Sequence, residues 1–197
     1  MKYILFLLFL ISINFYSYSQ FSEPYRPTKV FLKSGDSLVG MGKTRNKAFK
    51  FRANSESKAF FIDFSKIKFI EQKNSENEWI KFKFFQTTNS DKFIRVQELN
   101  VGETLELYAI ISNGNVSVAG GGSFPMTSVS YYLKKNQEEK LTKIGIYDPV
   151  FSDYTTLVKN YFSDCPKLIE QIENKTLRFR DGLEEMVKYY NSNCVED

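Results

Sequence analysis

Residues 79–84 have the sequence Trp-Ile-Lys-Phe-Lys-Phe, and this alternation of apolar and basic residues decides the predicted fold. Successive side chains of a β-strand point to opposite faces of the sheet. One face is therefore expected to point into a core, with the side chains Ile80, Phe82 and Phe84. The other face is expected to meet solvent, with the side chains Lys81 and Lys83. The segment predicts a strand in a sheet with one wet side.

The same period of two extends along the chain on both sides of this strand, from Thr28 to about Ile146. Further strands are predicted at residues 29–32, 37–41, 48–52, 67–72, 93–99, 104–111, 129–134 and 141–144. No helical crossover pattern separates these segments, which favours antiparallel pairing over a parallel βαβ arrangement. Residues 20–147 are thus predicted to form an antiparallel β-rich body, either a curled sheet or a small barrel.

One segment of this body is expected to be irregular. Residues 113–128 contain Asn113-Gly114-Asn115, three consecutive glycines at 120–122, and Pro125. Clusters of glycine, asparagine and proline are typical of loops. We therefore expect a flexible loop between two strands over residues 113–128.

The apolar period changes to three and four residues after residue 149. One helix is predicted to follow Ser152, a second to open at Pro166 and a third at Asp181, each with one apolar stripe. Helices this short cannot bury a sufficient core of their own, so they are expected to pack on the sheet. Residues 148–197 are predicted to form a three-helix C-terminal cap, and the fold class is α+β.

The N-terminal end has the pattern of a cleaved export signal. Lys2 precedes a mostly apolar run at residues 3–15, and Ser17-Tyr18-Ser19 supplies small residues before a cleavage point. The run is shorter than the stretch of about 20 apolar residues that spans a bilayer. Residues 1–19 are predicted to be a signal peptide, and the mature chain to lack a transmembrane span. The predicted location is the periplasm, the outer membrane or the cell exterior.

Export determines the interpretation of the two cysteines, Cys165 and Cys194. In an oxidising compartment the simplest expectation is one intramolecular disulfide between them. Closing a loop of this length is expected to stabilise the fold by roughly 3 to 4 kcal/mol on the chain-entropy model.

The composition excludes several classes of chemistry. The chain has no histidine, so His-based catalytic triads and His-containing zinc sites are excluded. Lys and Arg number 27 against 23 Asp and Glu, a formal net charge of +4. A nucleic-acid binder normally has a larger basic excess concentrated on one element. We expect no cofactor, no metal site and no nucleic-acid partner.

Three motif matches have simpler structural explanations. Gly35-Asp36-Ser37-Leu38 resembles the nucleophile block of the GDSL esterases, but no histidine is present to activate Ser37. The glycines at 120–122 lack the Gly-Lys-Ser/Thr of a phosphate-binding loop. The adjacent glutamates at 138–139 and 184–185 are typical of a solvated surface, although paired carboxylates also serve glycoside hydrolysis.

A basic run on the predicted sheet is the best candidate for a binding surface. It comprises Lys43, Arg45, Lys47, Lys50 and Arg52. Such a run can attract an anionic lipid, polysaccharide or protein surface. The simpler alternative is a solvated strand-turn-strand whose charges prevent edge pairing.

Segments along most of the mature chain resemble a group of small secreted proteins from Bacteroidota. The segments that carry the resemblance are Phe31-Leu32-Lys33-Ser34-Gly35-Asp36, Tyr131-Tyr132-Leu133-Lys134-Lys135, Ile144-Gly145, Tyr161-Phe162-Ser163-Asp164-Cys165-Pro166-Lys167-Leu168, Ile172, Asn174-Lys175, Tyr189-Tyr190-Asn191 and Cys194. The resemblance implies export, a sheet followed by helices, and paired cysteines. It implies no reaction.

These observations favour a non-enzymatic binding or structural module of the periplasm or cell envelope. Its expected partner is an envelope protein, a glycan or a lipid surface. The alternative is an envelope hydrolase that uses a carboxylate pair brought together by the fold.

Overall fold

The computed structural model describes residues 23–118, 121–147, 155–179 and 182–194. The predicted α+β class is confirmed, because the described strands form one 10-stranded antiparallel sheet and helices follow it. The predicted signal peptide, Ser152 and Asp181 lie outside the described residues.

The strands follow the order β10-β9-β8-β7-β6-β5-β1-β2-β3-β4 across the sheet, which makes β4 and β10 its edges. Their bounds are β1 Arg26–Leu32, β2 Ser37–Thr44, β3 Ala48–Arg52, β4 Phe60–Asp63, β5 Ile67–Lys73, β6 Trp79–Thr87, β7 Ser90–Val101, β8 Leu105–Val118, β9 Gly122–Lys135 and β10 Thr142–Tyr147. A 3-10 turn, Phe64–Lys66, connects β4 to β5. The helices are α1 Thr155–Tyr161, α2 Pro166–Glu173 and α3 Glu184–Asn193.

Strands β1–β6 curl into what we call the N-terminal roll. Strands β3 and β6 are four places apart, a separation of about 19 Å in a flat sheet. The rings of Phe49 on β3 and Phe84 on β6 nevertheless lie 6.2 Å apart, and Phe84 also stacks on Phe64 at 4.4 Å. We call the side of the sheet that bears Phe84 face A. The N-terminal roll encloses face A.

Strands β6–β10 curl in the opposite direction into the C-terminal roll. Leu141, just before β10, exchanges backbone hydrogen bonds of 2.9 Å with Gln86 and Thr88 at the end of β6. These strands are also four places apart in the sheet order. The roll encloses the side that bears Lys83, which we call face B. Its buried apolar residues are Val96, Tyr108, Tyr132 and Leu141.

The three helices cover face A of strands β8–β10. Val158, Leu168 and Val187 are fully buried there, in one cluster with strand residues that include Leu105 and Leu133. The predicted disulfide is confirmed: Cys165, just before α2, is bonded to Cys194, just after α3. The helical cap is thereby closed on itself, with its apolar stripes against the sheet.

The structure corrects several local predictions. Residues 113–128 were predicted to be a loop, but β8 and β9 pair in register from Leu105 opposite Lys135 to Val118 opposite Gly122. The glycines and asparagines are tolerated because Asn113 and Gly114 are exposed and bury no side chain. Strand β4 was not predicted, because the alternation in its four residues is too short to stand out. The third helix begins at Glu184, after the described residues Gly182 and Leu183.

A further correction concerns β6. Lys81 and Lys83 were predicted to face solvent, yet the Lys83 side chain is only 19% exposed. It lies inside the C-terminal roll, where its ammonium is 2.7 Å from Glu98 and 3.0 Å from the hydroxyl of Tyr108. The alternation along β6 was interpreted correctly as two faces, but both faces of its middle are covered.

Candidate functional site

The five residues of the predicted basic surface lie on and between strands β2 and β3. Lys43 is opposite Lys50 in the strand register, and both lie on face B. Arg52 shares that face, since it is opposite Met41. Arg45 and Lys47 lie exposed in the turn between the strands. The structure therefore brings three of the five cations onto the outer, convex side of the N-terminal roll.

The surface extends beyond the predicted run onto β1, β5 and β6. Lys29 is opposite Glu71 on face B, and Lys73 is opposite Trp79. Sequence reasoning missed these residues because they are distant from the basic run along the chain. We call the whole surface the cationic–aromatic face, and its residues are Tyr25, Lys29, Lys43, Lys50, Arg52, Phe61, Phe69, Lys73, Trp79 and Lys81.

Two aromatic rings on this face each hold a pair of cations. Lys43 Nζ and the guanidinium of Arg52 lie 4.6 and 4.2 Å from the centre of the Tyr25 ring. Lys29 Nζ and Lys73 Nζ lie 4.6 and 5.4 Å from the Trp79 ring. The negative face of an aromatic ring attracts a cation at these distances. Each ring therefore holds two like charges close together.

Two further contacts continue the same arrangement toward the edges of the face. Lys50 Nζ is 5.5 Å from the Phe61 ring on the edge strand β4. Lys81 Nζ is 4.9 Å from the Phe69 ring, which itself stacks on Phe31 at 4.3 Å. Cations and rings thus alternate across the whole width of the roll.

Acidic residues are scarce on this side of the sheet. Within the sequences of strands β1–β6 the acids are Asp63 at the end of β4 and Glu71 on β5. Glu71 pairs with Lys29 at 3.0 Å, and Lys81 pairs with Glu98 of β7 at 2.6 Å. The face therefore has a net positive potential that attracts anions.

Lys43 shows how closely these charges are held. The residue is buried at 7% exposure. Burial lowers the pKa of its ammonium, and the like charges of Arg45 and Lys50 lower the pKa further. A bound anion would relieve this repulsion, since an opposite charge favours the charged form of the lysine.

A groove runs across one end of the cationic–aromatic face. Its volume is about 590 Å³, and its lining includes Pro27, Met41, Arg52, Lys73 and Trp79. These residues form one row across the strands, from Trp79 on β6 to Arg52 on β3. The groove is within the size range of small-ligand sites, with a cation near each end and an apolar floor.

Large apolar side chains protrude from the same surface. Val39 is 72% exposed, Phe61 62% and Trp79 44%. Exposed apolar residues grouped with cations indicate an interaction surface rather than a simply solvated one.

The carboxylate pairs considered from the sequence serve structural roles. Glu138 Oε2 accepts hydrogen bonds from the Lys135 backbone at 2.9 Å and from the Tyr161 hydroxyl at 3.1 Å. Glu185 pairs with Lys188 at 2.6 Å. Two partly buried acids also meet at Lys83, whose Nζ lies 2.7 Å from Glu98 and 3.6 Å from Glu106. This arrangement keeps carboxylates charged and does not suit a general acid.

The direction of the pKa shifts agrees with that interpretation. Burial opposes the charge of Glu106, but hydrogen bonds from Lys134 and Tyr108 outweigh it and hold the pKa below its ordinary value. A general acid needs a raised pKa. Every described carboxyl group with a resolved shift has a lowered one: Asp63, Asp91, Glu106 and Asp164.

Two other motifs contribute no chemistry in the described part of the chain. Ser37 is exposed at the start of β2, after a turn in which Gly35 has a φ of 100°. Gly122 begins β9, so the last of the three glycines belongs to a strand rather than to a helix start. Among the described residues no group of three or more Asp, Glu or Cys side chains has the geometry to hold a metal ion.

Comparisons with protein-family models, with curated proteins and with solved structures find no match to this chain. Among the described helices none is long and apolar enough to cross a membrane.

Proposed function

We propose that this chain is an exported, non-enzymatic binding module of the cell envelope, and that its cationic–aromatic face binds an anionic lipid surface. The observation that carries the proposal is the pairing of cations with aromatic rings across one convex face, whose strands β1–β6 contain Glu71 and Asp63 as their acids. Export to the periplasm, the outer membrane or the exterior belongs to the proposal. The disulfide between Cys165 and Cys194 supports it, because disulfides persist in oxidising compartments.

The shape of the face favours a lipid surface over a glycan or a protein groove. The N-terminal roll encloses face A, so the opposite side of these strands is convex. Measured along the curled strands from β6 to β4, it extends about 24 Å at the usual strand spacing. Apart from the groove at one end the face is convex, whereas small-molecule sites are typically concave, so the face as a whole favours a broad partner such as a bilayer.

The side chains of the face also match the interface of a bilayer. Aromatic residues are favoured at the level of the lipid headgroups, where their rings are half buried. Lysine and arginine near them attract anionic headgroups, with about 1 kcal/mol of binding energy for each cation near the surface. Trp79 and Phe61 would enter the headgroup layer, and Arg52 and Lys73 would flank a headgroup in the groove of about 590 Å³.

Vesicle binding tests the proposal. Residues 20–197 are sedimented with vesicles of phosphatidylcholine alone and with vesicles that contain 30% phosphatidylglycerol (about a third of the lipid, enough to give the surface a negative potential). We expect binding only to the anionic vesicles, and weaker binding as salt rises, since salt screens surface charges. The double variant Lys50→Gln/Lys73→Gln should lose about 2 kcal/mol, or roughly 30-fold in affinity.

The matched control removes the same charge elsewhere. Lys92→Gln/Lys167→Gln changes two lysines on β7 and α2 that are exposed and outside the face. We expect it to bind within about twofold of the unchanged chain. Equal binding to neutral vesicles, or an equal loss in the control, would contradict the proposal. Binding to an acidic polysaccharide without binding to either vesicle would assign the face to glycans instead.

A further inference from the structure

A second cleft lies on face A, between the N-terminal roll and the helical cap. It has a volume of about 400 Å³ and opens over the middle of strands β5–β8. The roll covers one side of face A and the helices cover the other. The cleft is the part of this face that neither cover reaches. At its floor are Phe82, Arg95 and Gln97.

Hydrogen bonds hold the guanidinium of Arg95 against polar groups of the N-terminal roll and of the segment before it. Its Nη1 lies 3.0 Å from each of three acceptors: Glu23 Oε1, Thr44 Oγ1 and Gln72 Oε1. Its guanidinium also stacks on the Phe82 ring at 4.4 Å. These contacts hold the side chain in one position although it is 26% exposed. The arginine is therefore preorganised before any ligand arrives.

The remaining donors of this guanidinium are available. Within the described residues, Nε and Nη2 of Arg95 form no hydrogen bond, whereas Nη1 has more acceptors than hydrogens. The amide of Gln97, two residues along β7 on the same face, likewise forms no side-chain hydrogen bond within the described residues. A planar fork of donors next to an unpaired amide is suited to a carboxylate with a neighbouring peptide group.

The rest of the lining fits such a ligand. Arg26 and Lys73 add positive charge to that of Arg95, and the two acids of the lining, Glu23 and Glu76, balance only part of it. Ile80 and Ile111 add apolar surface near the floor. The cleft therefore offers donors for a terminal carboxylate and apolar surface for a short apolar side chain.

We propose that this cleft binds the C-terminal carboxylate of a peptide. Arg95 receives the carboxylate through Nε and Nη2, Gln97 pairs with the last peptide group, and the terminal side chain lies on Phe82. This site is on the opposite face of the sheet from the cationic–aromatic face, and Lys73 at the end of β5 lines both.

The test uses N-acetyl-Ala-Leu and its C-terminal amide as probes, with binding to residues 20–197 followed by NMR. We expect the acid to shift the Arg95 Nε–H and Gln97 side-chain signals, and the amide to bind at least about tenfold more weakly, because hydrogen bonds between two ionised groups are stronger than those to a neutral amide. The variant Gln97→Glu places a negative charge beside the carboxylate and should weaken the acid at least tenfold. It leaves the anchor of Arg95 untouched.

The control variant is Gln137→Glu, the same change in an exposed turn outside the cleft. It should bind N-acetyl-Ala-Leu like the unchanged chain. Equal binding of acid and amide would overturn the proposal, and so would full binding by Gln97→Glu. Sodium acetate that bound as tightly as the dipeptide would remove the role assigned to Gln97. None of these outcomes depends on vesicle binding.

Discussion

The two rolls are built from the same alternation of basic and apolar residues, yet they use it in opposite ways. In the N-terminal roll Phe49, Phe51, Phe64 and Phe84 are enclosed, and lysines such as Lys29 and Lys50 form the outer surface. In the C-terminal roll the enclosed face contains Lys83 and Lys134, each less than 20% exposed at its side chain. Strand β6 belongs to both rolls and therefore has no solvent-exposed face at Lys83.

The alternation of apolar and basic residues therefore predicts the two faces of a strand, but it does not predict which face is exposed to solvent. That outcome depends on the direction in which the sheet curls, which long-range contacts determine. In the C-terminal roll the contact of Leu141 with Gln86 and Thr88 closes the sheet over face B. The enclosed lysines are tolerated because Glu98 and Glu106 lie opposite them, since buried charges need partners.

The largest predicted effect tests the apolar interior of the N-terminal roll. Phe84→Ala removes a ring that packs between Phe49 and Phe64. We expect the free energy of unfolding to fall by about 3 to 5 kcal/mol, the usual cost of deleting a buried phenylalanine. Urea unfolding followed by circular dichroism measures it.

The matched control for this change is the next residue, Phe85→Ala. Phe85 is only partly buried and lies on face B, 5.1 Å from the Tyr108 ring. We expect a loss of about 1 to 2 kcal/mol, because less apolar area is removed from the core. Equal losses at the two positions would contradict the assignment of Phe84 to the enclosed face of the N-terminal roll.

The next effect concerns the cover of the C-terminal roll. Cys165→Ser/Cys194→Ser opens a loop with a sequence separation of 29 residues. On the chain-entropy model the free energy of unfolding should fall by roughly 3 to 4 kcal/mol. Amide hydrogen exchange should accelerate in α2, α3 and β8 but much less in β1–β5. Uniform acceleration in both rolls would show that they unfold as one unit.

The sequence predicted those parts of the molecule that depend on neighbouring residues. The strand positions, the helix start at Pro166 and the disulfide follow from periodicity, proline geometry and cysteine number. The pairing of β8 with β9 through Asn113 and Gly114 was missed, because a long register of backbone hydrogen bonds outweighed their local preference for a loop.

The candidate site was predicted only where it is local. Lys43, Lys50 and Arg52 are close in sequence and were found. Trp79 and Lys73 join them only because β5 and β1 stand between β6 and β2 in the sheet order. The role of Arg95 could not be predicted from the sequence, because its partners Glu23, Thr44 and Gln72 are on distant segments that the N-terminal roll brings together.

A pair of lysine variants tests whether the lysines of the two rolls differ in their burial. Lys83→Gln removes the ammonium that lies between Glu98 and Glu106 in the C-terminal roll, and leaves Lys81 with Glu98 and Lys134 with Glu106. Lys29→Gln removes a half-exposed partner of Glu71. We expect a loss of about 2 kcal/mol for Lys83→Gln, because two partly buried carboxylates lose a shared positive charge. For Lys29→Gln we expect about 0 to 1 kcal/mol, the usual value of a surface pair. Similar losses for the two variants would contradict the enclosure of Lys83.

The smallest effect is the pH dependence that Glu106 gives to the interior of the C-terminal roll. Because the pKa of Glu106 is lowered in the folded state from its ordinary value of 4.5, its charge stabilises the fold above that pH. This contribution is lost as the pH falls through the lower, folded-state pKa, since the folded carboxylate then takes up its proton. Glu106→Gln should therefore destabilise the chain by about 1 to 2 kcal/mol at pH 7 and by less at pH 3. Thermal unfolding at both pH values, with Glu71→Gln on the outer face of the N-terminal roll as the control, measures the difference. If the effect of Glu106→Gln stayed constant with pH, Lys83 and Lys134 would not hold the carboxylate in its charged form. The interior of the C-terminal roll would then resemble the solvent-exposed face of the N-terminal roll.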